Sequence, residues 1–137
     1  MGRYNCLFNL GTTHRRLGNL DKSAAFLKEA FSEMPESPAL FNNYGMTEFE
    51  RGEFENAIGN FDKAVEFSKR ADKVNKEPNH TYLNNRGLAF YFTKYFTHAI
   101  EDYTHALRLD DSDPTIWFNR GNARLALNTE NDIEQAI

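Results

Sequence analysis

Apolar and small residues recur along this chain with a long period, and inside each period they keep helical spacing. Four glycines, Gly11, Gly45, Gly87 and Gly121, lie 34, 42 and 34 residues apart, and the phrases ending on them read L-F-N-L-G, F-N-N-Y-G, L-N-N-R-G and W-F-N-R-G. Four residues before each glycine stands a large apolar residue: Leu7, Phe41, Leu83 or Trp117. After a turn, a second apolar stretch opens around Leu20, Phe54 and Phe96. It runs small, large, small through Ser23, Leu27 and Ala30, then Ala57, Phe61 and Ala64, then Ala99, Tyr103 and Ala106. Spacings of four and three place each trio on one helix face packed tightly against a partner. A glycine on the first helix lets the second approach, since a Cβ there would hold the backbones apart. Ser37-Pro38 and Asp113-Pro114 each set a capping side chain before a proline suited to the first helical position. A helix pair of about 34 residues cannot bury its apolar face alone and stacks on its neighbours. The pattern therefore predicts an all-α solenoid of antiparallel helix pairs, an architecture of surfaces more than of pockets.

Composition narrows the function classes. With 137 residues the chain has room for one domain of three or four such pairs. A net charge of −4 argues against a nucleic-acid partner, which favours a basic stripe. No apolar run approaches the roughly 20 residues that a membrane-spanning helix needs. The opening M-G-R-Y-N-C has no signal-peptide apolar region, and Cys6 stands where a myristoylation motif wants Ser or Thr. The lone cysteine forms no intrachain disulfide and fits a reducing compartment, which reads as cytoplasmic.

The same residues argue against an enzyme: there is no Gly-rich phosphate loop, paired-cysteine metal spacing or nucleophile elbow. No cofactor is expected. His98, Asp102 and His105 share a helical face and have the side chains to hold a divalent cation, but such a stripe is more often solvated, and no metal is assigned.

The bulky residue, the glycine and the Ala–aromatic–Ala face together resemble the tetratricopeptide repeat family. The resemblance spans 4–37, 38–79, 80–113 and an incomplete 114–137. It implies a right-handed superhelix whose first helices line a concave face. The chain departs from the family pattern in places. His14, Glu48 and Arg124 occupy a slot that is usually aromatic and that Phe90 fills. Arg86 and Arg120 replace the leucine before the glycine, and each needs a carboxylate at the helix seam, for which Glu101 and Asp102 are in reach. The second unit is eight residues long in excess. Ala64, Phe67, Ala71 and Val74 keep helical spacing there, so its second helix is expected to run on. The excess is basic (Lys69, Arg70, Lys73, Lys76), as a solvated helix end can be, with a docking knob for an acidic partner as the alternative.

On the implied concave face, Asn9, Asn43, Asn85 and Asn119 form a column two residues before each glycine. An amide both donates and accepts, so it can pair with a peptide backbone. The column resembles the asparagine ladder in the repeat region of O-linked N-acetylglucosamine transferase. Phe8, Asn42, Asn84 and Phe118 flank it, followed by Thr12, Met46, Leu88 and Asn122 and by Arg15, Phe49, Tyr91 and Leu125. Exposed aromatic residues and methionine there read as a partner surface. The family's clamp for the C-terminal carboxylates of heat-shock chaperones needs cations, but Phe8, Thr12, Asn43, Thr81 and Asn85 hold the matching positions. Only Asn43 fits, and a dicarboxylate would be desolvated without partners. A chaperone-clamp adaptor is excluded on that ground.

The expected function is a protein–protein interaction scaffold binding a peptide segment. The alternatives are a substrate-recruiting region of a larger, glycosyltransferase-like enzyme and a structural subunit of a multiprotein assembly. Glu134-Gln135-Ala136-Ile137 resembles the opening of a fourth second helix, like Glu55-Asn56-Ala57-Ile58. The preceding helix, about Asp113 to Leu127, is expected to leave Ile116, Ala123 and Leu127 uncovered and to promote self-association.

Overall fold

Local chemistry starts and stops the helices of this chain. The computed structural model describes residues 2–136, the side chains as far as Gln135. Its helices are α1 (Gly2–Arg16), α2 (Leu20–Ala30), α3 (Pro38–Glu50), α4 (Phe54–Ala71), α5 (His80–Phe92), α6 (Phe96–Leu109) and α7 (Pro114–Ala136). There is no strand among the described residues. Ser37 caps α3, its hydroxyl accepting the Leu40 N–H at 3.2 Å ahead of Pro38. Asn79 caps α5 by accepting the Thr81 N–H at 2.8 Å, and Asp113 holds the Thr115 N–H at 2.9 Å as α7 begins.

The chain divides into two compact units, one reaching Pro78 and the other starting at Asn79. In the first, α1 packs on α2 and α3 on α4, with α2 joined to α3. Tyr4, Leu7, Leu27, Ala30 and Leu40 form a core there, with Phe8, Phe26, Phe31, Met34 and Tyr44 against it. Ser23 and Thr47, both fully buried, satisfy one another at 3.0 Å across that seam. In the second unit α5 packs on α6 and α6 on α7. Leu83, Ala89, Ala99, Tyr103, Ala106, Ile116 and Ala123 are buried within it.

The glycines do what the spacing implies, in three places of four. A Cβ on Gly11 would lie 2.5 Å from Leu27, one on Gly45 2.7 Å from Phe61, and one on Gly87 2.7 Å from Tyr103. Each first helix thus takes the bulky residue of the second into a notch. Gly121 has nothing within 4 Å of that position. The turns after α1, α3 and α5 pass through Gly18 (φ 81°), Gly52 (φ 82°) and Lys94 (φ 67°), the left-handed region that suits a residue without a Cβ.

The helix ends bear on two expectations. First, α4 runs 18 residues against 11 for α2 and 14 for α6, but it ends at Ala71. The Asp72 carboxylate accepts the N–H groups of Val74 (3.3 Å), Asn75 (3.2 Å) and Glu77 (3.2 Å), offering the backbone an alternative to the helix. These bonds hold Asp72 below the usual carboxylate range. Val74 is 88% exposed and continues no buried face. Second, α7 is unbroken for 23 residues, where a helix ending about Leu127 and a new one opening at Glu134 were expected. Asn128 lies 34 residues after Lys94, yet it stays helical. Residues 128–135 are exposed, so no packing folds them back, and each further helical residue adds a hydrogen bond. Ile137 lies outside the described residues.

The uncovered face of α7 is also not the expected one. Ile116 and Ala123 are buried, at 1% and 0% exposure, and Leu127 is half-buried. The exposed side carries Trp117, Phe118, Leu125 and Ile133, together with the open Gly121.

Candidate functional site

The unusual residues at the helix seams find local partners. Arg86 makes a two-pronged bond to Asp102, Nε to Oδ2 at 2.8 Å and an outer nitrogen to Oδ1 at 2.7 Å, as the sequence implies for a buried arginine. Arg120 differs: it lies over the Trp117 ring at 4.8 Å and donates to the Thr104 hydroxyl at 3.3 Å. His14 stacks on Phe26 at 5.4 Å. Glu48 is buried beside Arg51 at 3.0 Å; burial first, then the bond to Glu53, pushes its carboxyl above the ordinary value.

In the first unit α1 and α3 are neighbours, and the sequence-assigned residues meet there. Asn43 donates to the Thr12 hydroxyl at 3.2 Å, and Thr12 in turn donates to the Phe8 carbonyl at 2.9 Å. Phe8, Met46 and Phe49 are half-buried, and Asn9 is exposed. Asn42 does not offer its side chain to a ligand as expected. It is 8% exposed and donates to the Met46 sulfur at 3.9 Å. Arg15 is bound to Glu50 at 3.1 Å, which leaves little net charge on this face.

In the second unit α5 and α7 are neighbours. Asn119 donates its side-chain N–H to the Asn84 side-chain Oδ1 at 3.2 Å, so part of the asparagine column joins neighbouring helices. Asn85, Leu88, Tyr91 and Asn122 are half-buried, and Phe118 is 68% exposed. Two further residues belong here: Tyr103, expected only in the helix-packing face, and Phe92, which no sequence pattern marked. Phe92 and Tyr103 join Leu88, Tyr91, Asn119 and Asn122 around a pocket of about 140 Å³. The legible signal was a phenol at Tyr103 where Leu27 and Phe61 stand in the other units.

Other candidates dissolve into local structure. Of the His98, Asp102 and His105 stripe, Asp102 is committed to Arg86 and His98 leans on the Phe90 ring at 5.2 Å. No group of three or more metal-ligating side chains occurs among the described residues. Lys69, Arg70, Lys73 and Lys76 surround a surface hollow with Glu66 and Asp72, and Arg70 pairs with Glu66 at 3.4 Å. Cys6 is a free, exposed thiol. Among the described residues no helix is long and apolar enough to cross a membrane.

Helix pairs notched at glycine, with amides along neighbouring first helices, define a helical-repeat solenoid. Family models described as tetratricopeptide repeat match residues 8–74 and 80–113, and the chain belongs to that family. A curated relative, anaphase-promoting complex subunit cut9 of Schizosaccharomyces pombe, is 26% identical over 107 residues, which is 78% of this chain and 16% of that protein. The chain thus spans about a sixth of that relative's length. Among solved structures, the first tetratricopeptide domain of Spaghetti (RPAP3), bound to the HSP90 peptide SRMEEVD, aligns with a TM-score of 0.82 at 19% identity, covering 93% of this chain and 94% of that one. The Cut9–Hcn1 hetero-tetramer of the anaphase-promoting complex aligns with a TM-score of 0.78 at 22% identity, covering 89% of this chain and 23% of that one.

Proposed function

We propose that this chain is a non-catalytic, cytoplasmic interaction scaffold whose amide and aromatic faces hold a peptide segment of a protein partner. The observation that carries the reading is the α5–α7 face, where Asn85, Leu88, Tyr91, Asn119 and Asn122 lie half-exposed beside Phe118. Amides on a rigid helix face can pair with an extended backbone, while the rings supply apolar contact area. The peptide held by the similar Spaghetti domain supports the class of ligand but not its chemistry. Phe8, Thr12, Thr81 and Asn85 stand where a carboxylate clamp would need cations or a matching amide, so the guest here is not an acidic chain terminus. Similarity to Cut9 favours a second reading, a structural subunit of a multiprotein assembly.

The test begins with affinity purification and mass spectrometry to supply a partner peptide. Asn85→Ala is then expected to weaken a peptide held on the α5–α7 face, and Asn43→Ala one held on the α1–α3 face, by about 1 kcal/mol, with helicity unchanged. Binding that survives both changes but collapses as salt rises to about 0.5 M would replace this reading with a charge-driven one.

A second copy is the proposed occupant of the exposed α7 face. Thr129, Asp132, Ile133 and Ala136 repeat the spacing of Ala99, Asp102, Tyr103 and Ala106 in α6, where Asp102 binds Arg86 and Tyr103 fills the Gly87 notch. Ile133 lies only 12 residues from Gly121 in one continuous helix, so it can reach the notch of another copy but not its own. Arg120 and Asp132 supply the complementary charges.

A further inference from the structure

Tyr103 presents a problem that packing alone does not explain. Its ring fills the Gly87 notch, and the side chain is 0% exposed. Its phenol oxygen is buried and has no hydrogen-bond partner among the described residues. An unsatisfied buried hydroxyl is destabilising, since it gives up its bonds to water and gains none in return. Phe61 fills the equivalent notch without one, so shape does not require the hydroxyl. Burial first, then the negative charge of Asp102, raises the phenol well above its ordinary value, so this is a neutral O–H group.

The same side chain forms part of the wall of the 140 Å³ pocket. A cavity of about 150 Å³ accommodates a benzene ring, so this one has room for a short side chain. Leu88, Tyr91 and Phe92 make the apolar wall, and Asn119 and Asn122 bring amides from α7. None of the six residues lining the pocket carries a charge. A carboxylate entering it would lose its hydration with no cation to meet it, and an ammonium group would meet no anion. What fits is an apolar stem long enough to pass the rings, ending in a neutral hydrogen-bonding group.

We propose that this pocket is a specificity subsite that takes a neutral carboxamide side chain, glutamine, from the bound peptide. Its carbonyl oxygen accepts from the Tyr103 O–H, and Asn119 and Asn122 serve its amide nitrogen. The inference deepens the reading of α5–α7 as a peptide face and rests on it.

The test uses the full chain and propionamide, the side-chain analogue of glutamine, with propionate as the charged control. Titration is followed by NMR at the Leu88 methyl groups and the Asn119 and Asn122 side-chain amides. Propionamide is expected to shift these signals saturably and to bind at least about tenfold more tightly than propionate. Tyr103→Phe should weaken propionamide about tenfold, the share of one buried hydrogen bond, while its melting temperature holds or rises. Equal affinity for both probes, no saturation, or no effect of Tyr103→Phe overturns the subsite. A partner peptide that loses affinity on Asn85→Ala but not on Tyr103→Phe overturns the subsite and leaves the peptide face standing. A partner whose binding ignores every α5–α7 change removes the peptide face itself.

Discussion

Glycine at the centre of a helix is unfavourable by roughly 1 kcal/mol against alanine unless the missing Cβ is used. At Gly45 it is used: the Phe61 ring sits where the methyl group would be, with ring atoms at 2.7 and 2.8 Å. Gly45→Ala is therefore expected to destabilise the first unit by about 1–3 kcal/mol, because a buried ring must move. In the monomer Gly121→Ala meets open space, so helix propensity alone acts and at dilute concentration the change should be neutral or stabilising by up to about 1 kcal/mol. Thermal or urea unfolding of the two variants checks the contrast, and equal effects would remove the notch as the explanation. Sequence spacing alone treats the two glycines alike. Only the presence or absence of a packed helix separates them.

The helix pairs owe their lengths to their turns. Gly18 and Gly52 adopt positive φ without steric cost, whereas Lys94 holds φ 67° with a Cβ in place. Lys94→Gly should stabilise the α5–α6 pair by about 1 kcal/mol, since relief of that strain outweighs the entropy glycine adds to the unfolded chain. An unchanged or lower melting temperature would show that the turn is unstrained. The starts of α2, α4 and α6 at Leu20, Phe54 and Phe96 were legible because apolar periodicity and turn chemistry agree there. The ends of α4 and α7 were not. Asp72 captures three backbone N–H groups over a short range that periodicity does not register, and α7 continues past Asn128 because nothing packs against its exposed second half.

At the scale of the whole molecule, the two units each bring an amide and aromatic face, on α1–α3 and on α5–α7. The exposed side of α7 adds a third surface. Trp117, Phe118, Leu125 and Ile133 are 47%, 68%, 66% and 59% exposed, a large apolar stretch for one helix. Sedimentation velocity is expected to show concentration-dependent dimerisation of this chain, and Ile133→Glu should suppress it without loss of helicity. A monomer that persists at about 1 mM would remove the second copy as occupant, since even a weak millimolar contact of some 4 kcal/mol would show there. An isologous contact of this kind is self-limiting, so dimers are expected in place of fibres.

The sequence by itself determined the repeat, the all-α class, the helix starts and the identity of the notch residues, because a helix pair writes its packing face into local spacing. It also marked the asparagine column, since an amide two residues before each glycine is a matter of register. Tertiary structure alone decided that two of those amides bond to neighbouring helices, Asn43 to Thr12 and Asn119 to Asn84, and that the flanking Asn42 is buried. It also decided that Arg86 meets Asp102 whereas Arg120 lies on Trp117, and that Ile116 and Ala123 face inward. These outcomes depend on which helix lies opposite, and helices that are distant in sequence come together only on folding. The Tyr103 hydroxyl belongs to the same class: one oxygen atom separates it from Phe61, and its meaning appears only once the surrounding pocket is built.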